Sequence, residues 1–98
     1  MKAKSMRSDP MYRDDFLMEA QEIINGNRAT DYGDNLDTQS RIAQIWSGIL
    51  GIEVEPHQVT LLFITAKALR ASKNAGHTDS WVDIAGYAAL GGEIGDRQ

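Results

Sequence analysis

Apolar residues recur at steps of three and four along four stretches of the chain, and polar or helix-breaking residues separate these stretches. This spacing is the period of an α-helix that buries one face. The expected helices run from Met11 to Asn25, from Asp37 or Thr38 to Leu50, from Pro56 to Lys73, and from Thr78 or Asp79 to Leu90. The sequence therefore predicts an all-α protein, a compact bundle of about four helices.

The apolar positions define the faces that we expect to be buried. The predicted inward-facing residues are Phe16, Leu17, Ala20, Ile23, Ile24, Ile42, Ile45, Trp46, Ile49, Leu50, Val59, Leu62, Phe63, Ala66, Leu69, Val82, Ala85, Ala89 and Leu90. Glycine and asparagine suit the ends of these helices because they tolerate the left-handed conformation. Proline suits a first helical position, as at Pro56.

The length of 98 residues allows one compact domain. We expect a flexible basic arm at residues 1–10, a single helical domain at 11–92 and a loose tail at 93–98. A domain of this size buries only about 60–65% of the surface of its unfolded chain. We therefore expect a homo-oligomer, which buries more.

The chain has no cysteine and a net charge of −4. Disulfides and thiolate metal sites are excluded, so any metal must be held by carboxylate, imidazole or water, which favours Mg²⁺ or Mn²⁺. The negative charge argues against non-specific nucleic-acid binding as the main activity. No apolar run reaches the ~20 residues of a membrane span, and we expect the basic start not to act as a signal peptide. These features predict a cytoplasmic protein that binds neither membranes nor specific nucleic-acid sequences.

Acidic residues follow each other along one face of the fourth predicted helix. Asp79 and Asp83 are four residues apart, and like charges at that spacing repel each other by a few tenths of a kcal/mol. A divalent cation or the basic residues of the third helix would offset this repulsion. His77 lies just before this face and Tyr87 continues it. Alternatively, Asp79 caps the helix and Asp83 is a solvated surface charge.

The first helix carries a second acidic pair, Glu19 and Glu22. Glutamates three residues apart on a helix can share a metal ion. The same spacing also occurs on solvated helix surfaces, so the pair alone leaves both alternatives open.

Basic and aromatic residues supply candidates for nucleotide binding. Lys67, Arg70 and Lys73 form a ridge that suits phosphates or the acidic residues above, although a solvated face has the same pattern. In the polar connection after the first helix, Tyr32 can stack on a base while Arg28 binds phosphate. Alternatively, the tyrosine fills space under a loop.

Three motifs resemble those of a family of small phage and prophage proteins that carry a domain of unknown function. They are Arg28 to Asp34 (RATDYGD), Arg41 to Ser47 (RIAQIWS) and His77 to Leu90 (HTDSWVDIAGYAAL). The resemblance covers the chain from about Phe16 to Leu90 and implies a protein of the host-cell cytoplasm.

The pattern is similar, more distantly, to nucleotide-modification-associated helical domains and to MazG-like all-α nucleoside triphosphate pyrophosphatases. That similarity implies a helical oligomer that holds Mg²⁺ with an E-x-x-E on one helix and an E-x-x-D on a later one. Glu19 and Glu22 match the first motif, and Asp83 matches the aspartate of the second. Ser80 stands at the glutamate position, and Asp79 precedes it.

Three functions follow from these observations. The first is a Mg²⁺-dependent nucleotide pyrophosphohydrolase, with Glu19, Glu22 and Asp83 as catalytic residues and Asp79 as a further metal ligand. The second is a non-catalytic protein that sequesters a host signalling nucleotide. The nucleotide-binding residues in both would be Arg28, Tyr32, Lys67, Arg70, His77 and Tyr87. The third is an oligomeric module that binds host proteins.

Overall fold

A computed structural model describes residues 10–26 and 35–98, which form four α-helices. Helix α1 spans Arg13–Asn25, α2 spans Asn35–Leu50, α3 spans Pro56–Lys73 and α4 spans Thr78–Arg97. The predicted all-α bundle is confirmed, and the described ranges contain no strand. Apart from Pro10, the predicted basic arm lies outside the described residues. Within them, no helix is long and apolar enough to cross a bilayer.

Local hydrogen bonds begin α1 and α3. The Tyr12 backbone N–H donates to the Asp15 carboxylate at 2.8 Å, and the Glu55 backbone N–H donates to the Gln58 side-chain oxygen at 2.9 Å. These side chains three residues into the helix satisfy a backbone donor that has no partner within the helix. Short-range sequence signals therefore position both helix starts.

The connection from α2 to α3 is held by Ser47. Its hydroxyl donates to the Ala43 carbonyl at 2.7 Å and accepts the Val54 backbone N–H at 2.8 Å. Gly51 ends α2 with a φ of 70°, a left-handed conformation that glycine adopts without steric cost. Helices in contact that are joined by so short a connection are typically antiparallel, which is the arrangement that we infer for α2 and α3.

The helices are arranged side by side in the order α1, α4, α3, α2. The packed pairs among the described residues are α1 with α4, α4 with α3, and α3 with α2. The core lies along the two central helices, where Val59, Val82 and Ile94 are at most 1% exposed. Each outer helix therefore packs on one neighbour.

Two glycines on α4 allow this helix to pack closely on both sides. A Cβ atom at Gly86 would lie 3.2 Å from Ile24 Cγ2 of α1, and one at Gly91 would lie 3.1 Å from Thr60 Cγ2 of α3. Both distances are shorter than ordinary van der Waals contacts between carbon atoms. Because these glycines have no side chain, α1 and α3 lie closer to α4 than a larger residue at either position would allow.

The predicted end of the fourth helix at Leu90 was wrong, and so was the loose tail at 93–98. Helix α4 continues to Arg97. Ile94 is 1% exposed, so the last turns carry core contacts. Beyond them, the Gln98 side-chain oxygen accepts the His57 backbone N–H at 2.9 Å. Packing thus continues the helix through Gly91 and Gly92, which local propensity marks as a stop.

Several side chains predicted to face the core are exposed. They are Leu17, Ile45, Ile49, Leu50, Leu62, Ala66, Leu69 and Ala89. On α1 and α2, the apolar arc is wider than the area that one neighbouring helix covers. On the central α3, Leu62 and Leu69 lie on a side that neither neighbouring helix covers. Periodicity correctly identified apolar faces but not what covers them.

We predict opposite effects on stability from filling two glycines of α4. Gly86→Leu should lower the free energy of unfolding by about 1–3 kcal/mol because α1 must move away from α4. Gly92→Ala, where a Cβ meets nothing within 4 Å, should raise it by about 0.5–1 kcal/mol. Urea unfolding followed by circular dichroism measures both. Equal effects from the two substitutions would contradict the close approach at Gly86.

Candidate functional site

An ion pair joins the two central helices. The Lys67 ammonium on α3 lies 2.9 Å from a carboxylate oxygen of Asp83 on α4, and the two side chains are 33% and 20% exposed. Taking charged groups partly out of water costs free energy, which the mutual attraction and hydrogen bonding offset. The other described ion pairs lie on exposed surfaces, two of them within one helix. The Lys67–Asp83 pair is therefore the centre of the candidate site.

Glu19 adds a carboxylate from α1. It is 7% exposed, although glutamate is almost never buried without partners. Leu17 and Trp81 line one side of the contact between α1 and α4. Glu19 follows Leu17 by two residues, and Asp83 follows Trp81 by two. Two residues correspond to a rotation of about 200° around a helix, so Glu19 and Asp83 both lie on the opposite side of this contact. We use the name polar cleft for the side of the helix bundle that carries Glu19 on α1 and the Lys67–Asp83 pair between α3 and α4.

The proposed four-carboxylate metal site does not form within the described residues. Glu22 and Asp79 are exposed, and the described part of the chain contains no group of three or more histidine or acidic side chains that could hold a metal ion. The Lys67 ammonium also stands next to Asp83, where a cation would bind. The donor set of these residues does not fit Mg²⁺, which needs oxygen ligands in near-octahedral geometry.

His77 and Ser80 have a clear role in the fold. His77 Nδ1 lies 2.7 Å from the Ser80 hydroxyl and accepts the Ser80 backbone N–H at 3.2 Å, which caps the start of α4. Ser80 is 1% exposed. The residue at the expected glutamate position is therefore buried in a helix cap, and His77 is held there with it.

Tyr87 is packed in a row of aromatic rings that crosses three helices. Its ring centroid lies 5.5 Å from that of Phe63 on α3, which in turn lies 6.2 Å from that of Trp46 on α2 in an edge-to-face arrangement. Such ring pairs stabilise packing beyond the area they bury. Tyr87 is half-buried and follows Asp83 by one turn of α4.

Only one of the three remaining predicted nucleotide-binding residues lies in the described part of the chain. Arg70 is exposed on α3, three residues after Lys67. The predictions for Arg28 and Tyr32 fall outside the described residues. Of the predicted site, the structure thus brings together Lys67, Asp83 and Tyr87 on the central helices, with Glu19 on the same side.

Sequence reasoning missed an apolar groove on the other side of α1 and α4. Its lining residues include Met11, Phe16, Leu17, Trp81 and Ile84. The Trp81 indole N–H donates to the Ala75 carbonyl at 2.9 Å, which fixes the ring at the edge of the groove. The sequence did contain a signal for this groove, because α1 and α4 carry apolar residues beyond the arc that one neighbouring helix can cover.

Comparisons with known proteins identify the class of this helical domain. Residues 15–95 match the family described as a domain of unknown function, DUF6378, and the chain belongs to that family. The predicted membership of a small phage protein family of unknown function is confirmed by its relatives. No solved structure matches the chain.

Two curated relatives come from mycobacterial phages. The chain is 45% identical over 75 residues to the Gene 55 protein of Mycobacterium phage L5, which covers 76% of this chain and 48% of that protein. It is 39% identical over 72 residues to the Gene 55 protein of Mycobacterium phage D29, which covers 74% of this chain and 48% of that protein. The chain spans about half the length of these relatives.

We predict that removing one charge of the polar-cleft ion pair costs more stability than removing one charge of a surface pair. Asp83→Asn should lower the free energy of unfolding by about 1–3 kcal/mol, because it leaves the Lys67 charge partly buried without its counterion. Glu93→Gln, which breaks the exposed pair with Arg97, should cost less than about 0.5 kcal/mol. Chemical denaturation of both variants tests this. A loss for Asp83→Asn no greater than that for Glu93→Gln would contradict it.

Proposed function

We propose that this domain binds a nucleotide at the polar cleft without hydrolysing it. The observation that carries the proposal is the partly buried Lys67–Asp83 pair between α3 and α4. An ion pair at such a position is a weak source of stability, because apolar residues of similar volume often do as well or better. A role in ligand binding explains why charged groups lie there.

Different charged groups of the polar cleft suit the two ends of a nucleotide, the sugar and base at one end and the phosphates at the other. Carboxylates such as Asp83 accept hydrogen bonds from ribose hydroxyls or from the amino groups of a base. The phosphates would avoid these carboxylates and bind the basic ridge of α3, where Arg70 is exposed one turn from Lys67. Tyr87 would border the cleft as an apolar wall, and the predictions for Arg28, Tyr32 and His77 remain predictions.

Two features favour binding over hydrolysis. The described acidic and histidine side chains do not cluster in threes, and Lys67 already supplies the positive charge next to Asp83. A bound ligand can be held by hydrogen bonds and ion pairs without a metal. Two relatives are phage proteins, and a protein that sequesters a nucleotide of the infected host would act in that setting.

A MazG-like, Mg²⁺-dependent pyrophosphohydrolase is the second candidate. The observation that favours it is the burial of Glu19 on the same side of α1 and α4 as Asp83, since the similarity implies metal ligands on two such helices. In this alternative the exposed Glu22 and Asp79 would have to move next to Glu19 and Asp83 to complete the metal site. Removal of the metal would abolish hydrolysis by the enzyme, whereas it would leave binding by the non-catalytic protein unchanged.

We predict tight nucleotide binding in the presence of EDTA. Calorimetry with a panel of mono-, di-, tri- and cyclic nucleotides should give at least one ligand, and chromatography should recover that ligand unchanged. Lys67→Met should weaken binding about tenfold or more, which corresponds to about 1.4 kcal/mol. Glu93→Gln, on an exposed part of α4, is the matched control and should bind normally. Circular dichroism checks that each variant is folded.

The remaining outcomes separate the alternatives. Release of pyrophosphate that requires Mg²⁺ and is lost in Asp83→Asn would replace the binding proposal with the enzyme. Absence of any nucleotide binding, with or without Mg²⁺, would refute both and leave the predicted host-interaction module.

A further inference from the structure

The surface of α2 and α3 exposes a group of large aliphatic side chains. We call this group the aliphatic face; it consists of Ile45, Ile49, Leu50, Ile52, Leu62 and Leu69. These residues are between 48% and 73% exposed. Single exposed apolar residues are normal on a protein surface, whereas a contiguous group marks an interaction site.

Helix geometry puts the two main stripes of this face on the same side of the molecule. Ile45 and Ile49 form one stripe on α2, and Leu62 and Leu69 form the other on α3. On α2, both isoleucines flank Trp46, which contacts α3 through Phe63. Around the axis of α2, the isoleucines are rotated from Trp46 in one sense, and around the axis of α3 the leucines are rotated from Phe63 in the same sense. Because the two helices are antiparallel, both groups lie on the same side of the pair.

This side faces away from α4. Thr60 and Lys67 contact α4, and successive residues of a helix are 100° apart, so Leu62 and Leu69 point in nearly the opposite direction. The aliphatic face is therefore separate from the polar cleft, and occupation of one leaves the other open.

The middle of the aliphatic face has no charge. No aspartate, glutamate, lysine or arginine occurs from Ile42 to Ile52 on α2 and its connection, or from Gln58 to Ala66 on α3. Two identical copies can therefore meet here without bringing like charges together, despite the net charge of −4 on each chain. The groove between α1 and α4 differs, because Asp14 and Asp15 lie next to the groove residue Arg13.

The exposed area suits a dimer. Six half-exposed aliphatic side chains present on the order of 500 Å² of apolar surface. This lies within the ~300–600 Å² of the largest apolar patch on a typical monomer, a patch that is often functional. Each partner contributes ~800 Å² to a standard interface, so this apolar surface would form the interface core and the neighbouring polar side chains its rim. Helix packing also suits the geometry, since two antiparallel pairs can form one four-helix core.

We propose that a second copy of this chain docks on the aliphatic face. The two copies would be related by a two-fold axis, so that the same residues of each copy contribute to the interface. The α2–α3 pairs would form a shared four-helix core, and α1 and α4 of each copy would lie outside it. The polar clefts would remain accessible in the dimer.

Light scattering during gel filtration tests this proposal. The chain should have twice the monomer mass of 10.8 kDa and dissociate only on dilution. Ile49→Lys should weaken the dimer about 30-fold or more because it buries an unpaired charge from each copy at the centre of the interface. Ile49→Leu keeps the apolar surface and should remain dimeric. Leu17→Lys is the matched control, since it puts the same charge on an exposed leucine in the α1–α4 groove, and it should also remain dimeric.

Two results would overturn the proposal. The first is a monomer at every concentration up to the high micromolar range. The second is a dimer that Leu17→Lys dissociates and Ile49→Lys does not, which would move the interface to the α1–α4 groove. Neither result depends on nucleotide binding, so failure here is distinguishable from failure of the binding proposal.

Discussion

The packing of α3 against α4 determines the position of everything else in this domain. The two helices approach closely where Gly91 faces Thr60, and the buried Val59, Val82 and Ile94 belong to them. Because α1 packs on α4 and α2 on α3, each outer helix depends on one member of this central pair. The Lys67–Asp83 ion pair lies at the same interface, so the contacts that form the core also position the candidate site.

The helices were predictable because their information is local. Apolar residues at helical spacing, Pro56 at the start of α3 and Gly51 at the end of α2 each act through neighbouring residues. The end of α4 was not predictable in this way. Gly91 and Gly92 disfavour a helix locally, but contact with Thr60 and burial of Ile94 outweigh that preference. Long-range packing decided this boundary.

The candidate site was predicted in part, for a similar reason. Periodicity put Asp83 and Tyr87 on one face of their helix, and the basic ridge of α3 was one of two predicted partners for the aspartates. It could not decide between that ridge and a cation or select Lys67, because that depends on how α3 lies against α4. The spacing of Glu19 and Glu22 likewise suggested a shared metal, whereas one is buried and the other exposed. Residue spacing along one helix does not specify which side chains meet across two.

The hydrogen bonds of Gln98 have a consequence for motion. The turn at Asn74 to His77 joins α3 and α4 at one end of the pair. At the other end, Gln98 bonds the backbone of His57. The central pair is thus fastened at both ends and resists opening as a hinge. Local opening is less costly for α1 and α2, which have fewer buried contacts. Any conformational response to a bound ligand is therefore expected in the outer helices, with the central pair as a fixed platform.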